Sequence, residues 1–208
     1  MWALVEDNAI TKIINNPKDM VINDVRHSKN IFSFRWTNEE REAIGIYEVV
    51  FDNSNKKNEE YYINTNQSYD YADGQVTASY GTATPKQLAD SLWTQEDSDN
   101  GDLPDDKEVG DVKVQGLKTL KKEIIKQQAS QLLEPTDWHN HKALDDDTYT
   151  IPANIKTYRT NIRTKSNEME TAINNASDVD ALKALYEYTQ QADGSFTRPL
   201  GEWPTLEG

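Results

Sequence analysis

Apolar and polar residues alternate in two short runs at the start of the chain, Trp2 to Val5 and Ala9 to Ile14, on either side of Asp7-Asn8. A period of two around a pair that tolerates tight-turn geometry predicts a β-hairpin over residues 2–14. Pro17, which has no N–H to donate, ends it. The stretch 30–36 supplies Ile31, Phe32, Phe34 and Trp36, bulky side chains that suit a pleated surface, and predicts a third strand. Thr37 with Glu40 three residues on has the form of a capping box, and Gly45 suits a helix end, so a short helix is predicted between them. Residues 46–51 return to strand, and a second hairpin is predicted with Asp73-Gly74 at its tip. Residues 1 to 83 therefore read as a small antiparallel β unit carrying one helical turn.

Between residues 94 and 113 the pattern disappears: the segment is acidic, rich in Asp and Gly, and almost without large apolar residues, which predicts a linker or long loop. Helical spacing follows. Leu117, Leu120, Ile124, Ala129, Leu132 and Leu133 predict an amphipathic helix over 116–133, ending before Pro135. Ile155, Tyr158, Ile162, Met169 and Ile173 stripe a second helix that starts near Pro152. Ser177 with Asp180 resembles a capping box and predicts a third helix bearing Leu182, Leu185 and Tyr186. The two prolines in residues 196–208 predict an extended tail. The fold class expected is α+β: an N-terminal β module over 1–93, an acidic linker over 94–113 and a C-terminal helical hairpin or three-helix module over 114–208.

Composition sharpens this. With 36% hydrophobic residues in 208 and a mean hydropathy of −0.86, core material is modest and fits two small units better than one large one. A net charge of −14 and a pI near 4.6 disfavour phosphate backbones and anionic lipid, so neither nucleic acid nor a membrane is an expected partner. No apolar stretch approaches the roughly 20 residues that span a bilayer. The opening run, interrupted by Glu6 and Asp7, lacks the apolar core of a secretion signal, and a soluble chain made in a cytoplasm is expected. With no cysteine, disulfides, thiolate zinc sites and a cysteine nucleophile are excluded.

The candidate chemistry is thin. His139 and His141 stand near a triple aspartate, Asp145 to Asp147, but a metal needs three or four converging ligands and the only other histidine is His27. Asp97, Asp99 and Glu108 fall at positions one, three and twelve of a calcium-loop template, yet Gly101 and Asp102 occupy the fifth and sixth places, where an oxygen ligand and then glycine belong. No metal site and no cofactor are expected. Among 36 acids a carboxylate pair has no diagnostic value, and neither a Gly-x-Ser-x-Gly elbow nor a glycine-rich phosphate loop occurs. An enzyme is not expected. Ten tyrosines and five tryptophans, several of them in polar stretches such as residues 59–74, lean instead towards protein contacts.

The run Leu132-Leu133-Glu134-Pro135-Thr136-Asp137-Trp138, followed by Pro152 and then Tyr158-Arg159 and Ile162-Arg163, resembles a pattern near the C-termini of tail proteins and tail-assembly-chaperone-like proteins of tailed bacteriophages. Residues 1–13 and 35–49 are likewise similar to the N-terminal module of marine-phage tail and tail-fibre-associated proteins. Lys156, where relatives often carry an aromatic, and Thr164, where they carry an acid, depart from the pattern. In physical terms the motif reads as a latch on a helical hairpin. Thr136 or Asp137 caps backbone amides, Trp138 folds back over Leu132 and Leu133, and Tyr158, Arg159 and Arg163 lie one turn apart, with the arginines reaching Asp137. Leu200 and Trp203 in the tail are candidates for docking on a partner.

The resemblance implies a non-enzymatic structural component of a phage tail, baseplate or fibre. Its place would be the virion, its partners other, less acidic tail proteins, with copies around the tail axis as a further arrangement. The alternative it implies is a tail or tail-fibre assembly chaperone absent from the finished particle.

Overall fold

The computed structural model describes residues 1–206 and divides after Thr84 into two compact units. The first is rich in strands and the second in helices, which makes the chain mixed α+β.

The first unit is built from three tight hairpins. Strands β1 (Trp2–Glu6) and β2 (Ala9–Ile14) turn at Asp7-Asn8, β3 (Met20–Ile22) and β4 (Val25–His27) at Asn23-Asp24, and two further strands at Asp73-Gly74. All six turn residues have φ between 50° and 75°. That geometry matches the right-handed twist of the strands and is tolerated best by Asn, Asp and Gly. Helix α1 (Asn38–Glu42) starts at a complete Thr37–Glu40 capping box and leads through Gly45 into β5 (Ile46–Asp52). Gly45 has φ 82°, and a Cβ there would meet the Val5 carbonyl oxygen at 2.6 Å, so no other residue fits without displacing β1.

Strands β6 (Ser68–Ala72) and β7 (Gln75–Ser79) complete a five-stranded sheet of order β2-β1-β5-β7-β6. The sheet is not purely antiparallel, as the sequence pattern suggested, because β7 pairs with β5 in parallel. After β5 the chain runs to the far edge, lays down β6, and returns β7 into the gap, so the last hairpin enters in reverse order. Hairpin signals identify the turn but not which arm faces the sheet.

Both faces of this sheet are buried, which is why β1 holds three consecutive buried residues. Ala3 and Val5 pack with Val49, Val76 and Ala78 on one face, beneath Tyr47, Tyr69 and Tyr71. Leu4 packs with Ile14, Ile22, Ile31 and Ile46 on the other. Full burial of a side chain such as Ile46 stabilises by roughly 1.5–3 kcal/mol. The lid on the second face corrects a second expectation. Residues 30–36 form no strand: Ser28 caps a 3₁₀ turn over Lys29–Phe32, and the chain turns again to reach Trp36. The bulky residues there serve the core by pointing Ile31, Phe32 and Trp36 inward from a loop, which propensity alone reads as strand.

In the second unit, the acidic run expected to be a linker is structured. Thr94 caps a short helix α2 (Gln95–Asp99), and β9 (Val112–Val114) pairs antiparallel with β8 (Ser91–Leu92), closing residues 93–111 into a loop. The residues before this loop hold the start of α3 (Leu117–Leu133). Gln87 and Leu88 carbonyls accept from the Leu117 and Lys118 amides, and Asp90 accepts from the Gly116 amide at 2.6 Å and the Thr119 hydroxyl at 2.9 Å. The N-cap residue Gly116 has no side chain to cap with, and a Cβ would lie 2.3 Å from the Ala89 carbonyl carbon. Asp90 supplies the cap from a distance.

Helix α3 runs antiparallel to α5 (Ala153–Asn175): Lys118 bonds the Asn174 carbonyl at one end, and Tyr158 the Leu132 carbonyl at the other. On α5 the buried positions are Ile155, Arg159, Ile162, Ser166, Met169 and Ile173, alternating steps of four and three. On α3 they are Leu117, Lys121, Ile125 and Ala129, so the helix is turned from the predicted stripe and leaves Leu120 and Ile124 exposed. Lys121 is tolerated inside because its stem is apolar and its ammonium lies 4.5 Å from the Tyr186 ring centre. Pro135 does not end the helical path: a 3₁₀ turn over Glu134–Thr136 passes into α4 (Asp137–Asp145), where a loop was expected. Helix α6 (Val179–Ala184) is capped by Asp178, not by Ser177, and a two-residue ribbon, β10 (Thr189–Gln190) with β11 (Phe196–Thr197), leads to the tail.

Candidate interaction surfaces

The motif residues converge on Arg159. Its side chain, 7% exposed, donates to the Leu133 carbonyl at 3.0 Å and to the Thr136 hydroxyl at 2.6 Å, while its second nitrogen meets Asp137 at 2.7 Å. Thr136 in turn donates to the Leu133 carbonyl at 2.7 Å. One guanidinium thus closes the helix break at Leu133–Asp137, where the last carbonyls of α3 lose their intrahelical partners. Neither Thr136 nor Asp137 caps an amide of α4 through its side chain. Arg163 stays exposed and donates to the Arg159 carbonyl at 3.4 Å, because one further turn carries it past the break.

Trp138 does not fold over Leu132 and Leu133. It is 53% exposed and stacks on His139, ring centres 3.8 Å apart. The reason is that α4 follows α3 after a single 3₁₀ turn, with position 138 outward and His139 inward. His139 bonds the Tyr149 hydroxyl, and Asp146 holds Tyr149 in place, its carboxylate accepting from Thr148 and its carbonyl accepting from the Tyr149 amide. These hydrogen bonds keep the Asp146 carboxyl below the usual carboxylate range, the Thr148 hydroxyl contributing most. The triple aspartate is therefore a turn that positions an aromatic, and His141 points to solvent. Among the described residues, no three His, Asp or Glu side chains converge as on a metal ion. Asp97, from the calcium-like spacing, instead bonds Thr94 and Lys113.

The tail also folds back on its own unit. Leu200 is 2% exposed and its amide bonds the Leu185 carbonyl at 3.0 Å, while the Trp203 indole donates to Gln128 at 3.1 Å. Leu200 is part of the core and is not available to a partner.

What does face outward is a set of large apolar side chains that sequence patterning placed inside strands or loops. Phe34 is 95% exposed and Leu144 80%. The Phe34 loop is held from beneath by Arg41, which is 6% exposed. Its Nε donates to the Ile31 carbonyl at 2.9 Å and its two terminal nitrogens to Ser33 at 2.7 Å and Asn38 at 2.9 Å, and its guanidinium lies 4.5 Å from the Trp2 ring centre. Nothing in the sequence marks Arg41, because its acceptors are mostly backbone carbonyls.

The first unit also has a cleft of about 760 Å³ between the Asp7-Asn8 turn, Asn23 and the end of α1, with Glu6, Asp7, Glu42, Tyr47 and Tyr71 on its walls. The Tyr47 and Tyr71 hydroxyls share a hydrogen bond of 3.0 Å, and that bond together with burial pushes the Tyr47 phenol up to about 12. At neutral pH it offers hydrogen bonding, not proton transfer.

No family model, curated protein or solved structure matches the chain. Among the described residues no helix is long and apolar enough to cross a membrane.

Proposed function

We propose that the protein is a non-enzymatic structural component of a bacteriophage tail, acting through contacts with other proteins. The observation that carries the protein-contact part is Phe34: a bare aromatic ring displayed on a loop fixed by a buried arginine is pre-organised for a partner's pocket. Support for a tail rests on the motif around Thr136-Asp137-Trp138 and Tyr158-Arg159 and on the similarity of residues 1–13 and 35–49 to tail-associated modules. In the latch, Arg159 and Tyr158 join two helices, a structural use of the motif that needs no substrate.

Mass spectrometry of purified virions of the phage encoding this chain tests the reading. Peptides from both units in the particle, at a level comparable with known tail subunits, are expected. A chain found in infected cells bound to a tail polypeptide but missing from the particle would replace this reading with that of an assembly chaperone.

A further inference from the structure

We propose that copies of this chain associate head to tail, with the Phe34–Arg35 loop of one copy seated on the apolar face of the β8–β9 ribbon of the next. From Val25 to Thr37 the sequence carries Arg26, Lys29 and Arg35 and no acid, within a chain of net charge −14. Asp19 meets this run, pairing with exposed Arg26 at 3.5 Å and accepting from the Lys29 amide at 2.9 Å with the Lys29 charge nearby, whereas the Arg35 side chain has no ion-pair partner among the described residues. Phe34 therefore stands bare beside the unpaired Arg35, in a run without an acid of its own.

The opposite combination occurs on the ribbon. Its register sets Leu92 against Val112, so these two share one face and both are exposed, while a register shift puts Val114 opposite Ser91. The other face is already occupied: Lys113 lies 4.4 Å from the Trp93 ring centre and bonds Asp97 at 2.5 Å. The loop that the ribbon closes carries Asp102, Asp105 and Glu108, whose carboxylates have no partner among the described residues.

An aromatic in a basic run and an exposed apolar pair beside free carboxylates complement each other in chemistry and in sign, which argues for a second copy as the occupant. Neither surface complements itself, since two basic loops or two acidic ribbons repel. The contact is then between unlike faces, and repeats into a ring where the rotation closes or a filament where it does not. At about 0.1 M salt the repulsion between two net-negative chains is screened beyond roughly 10 Å, while the contacting charges are not.

Sedimentation velocity of the full chain over a concentration series in about 0.1 M salt tests this. The expected result is concentration-dependent association beyond the dimer, weakened about tenfold or more by Phe34→Ala. Lys29→Glu with Arg35→Glu should abolish it, as should Asp102→Lys with Asp105→Lys and Glu108→Lys. Mixing the two charge-reversed proteins should restore it, which shows at once that both remain folded. A chain monomeric throughout, association indifferent to these substitutions, or a mixture that stays monomeric would overturn the proposal. The inference rests on reading the chain as an assembly subunit, yet the two fail separately. A monomer found in virions removes only the head-to-tail contact, and an associating chain missing from virions removes only the tail assignment.

Discussion

Each unit secures an irregular stretch of chain with a buried arginine, and the two solve the charge differently. Arg41 faces backbone carbonyls, one asparagine and the Trp2 ring, with no ion-paired carboxylate among the described residues. Arg159 shares its donors between a carbonyl, a hydroxyl and the half-buried Asp137. The difference shows that a buried guanidinium needs its donors satisfied more than it needs a counter-ion. It also shows where each unit is vulnerable, because removing an arginine harms what it leaves behind.

Arg159→Ala should have the largest effect. It removes the bonds to the Leu133 carbonyl and the Thr136 hydroxyl and the ion pair with half-exposed Asp137, and should destabilise the second unit by about 3–4 kcal/mol. Arg41→Ala leaves only neutral acceptors and should cost the first unit less, about 2–3 kcal/mol. Amide hydrogen exchange on the full chain reads each unit by itself, as two units need not unfold together. A larger loss at Arg41 than at Arg159 would break the comparison.

Leu200→Ala comes next, at about 2–3 kcal/mol in the second unit alone, the cost of truncating a buried leucine. The same exchange experiment should show faster exchange in α6 and the C-terminal half of α5, with the first unit unchanged. Unaltered exchange there would mean that the tail is not part of the core. Trp138→Ala, by contrast, should cost only about 1 kcal/mol, the value of an exposed aromatic stack, and a thermal melt of the full chain should shift little. A loss of several kcal/mol would show that the ring is buried against the hairpin after all.

The contrast between the two arginines also explains what could be read in advance. The Asp7-Asn8 and Asp73-Gly74 turns, the Thr37–Glu40 box and the α5 stripe are local signals, with cause and effect within a few residues, and each appears in the structure where its signal lies. Arg159 stood out because it and Asp137 both belong to the motif that resembles phage tail proteins, which reads as a latch between two helices. Arg41 did not, since a backbone carbonyl has no letter in the sequence. The same limit hid the parallel β5–β7 pairing and the remote cap that Asp90 provides to α3, both set by chain packing at long separation. The acidic run misled for a related reason: composition reports its solvation, while its order comes from a ribbon of only five residues and from Asp97, which serves as both capping partner and ion pair.

That double use of Asp97 yields the smallest expected effect, one that sharpens the contrast between the units. The Lys113 ammonium, then the Thr94 hydroxyl and amide, lower its carboxyl to about 2. Asp90 is also lowered, first by the Gly116 amide and then by the Thr119 hydroxyl. A carboxyl whose folded value lies below its unfolded value of about 3.9 stabilises the fold above that value and loses this contribution as pH falls through the folded one. Between about pH 4 and pH 2, then, the β8–β9 loop and the first turn of α3 should loosen. Exchange at the Thr94 and Gly116 amides should quicken relative to the interior of α5. Lys113→Met should raise the Asp97 titration, followed by carboxyl NMR, towards the ordinary range while leaving Asp90 where it is. An Asp97 carboxyl that titrates near 4 in the unaltered protein would show that the bridge to Lys113 does not hold the loop, and the order of the acidic run would then need another cause.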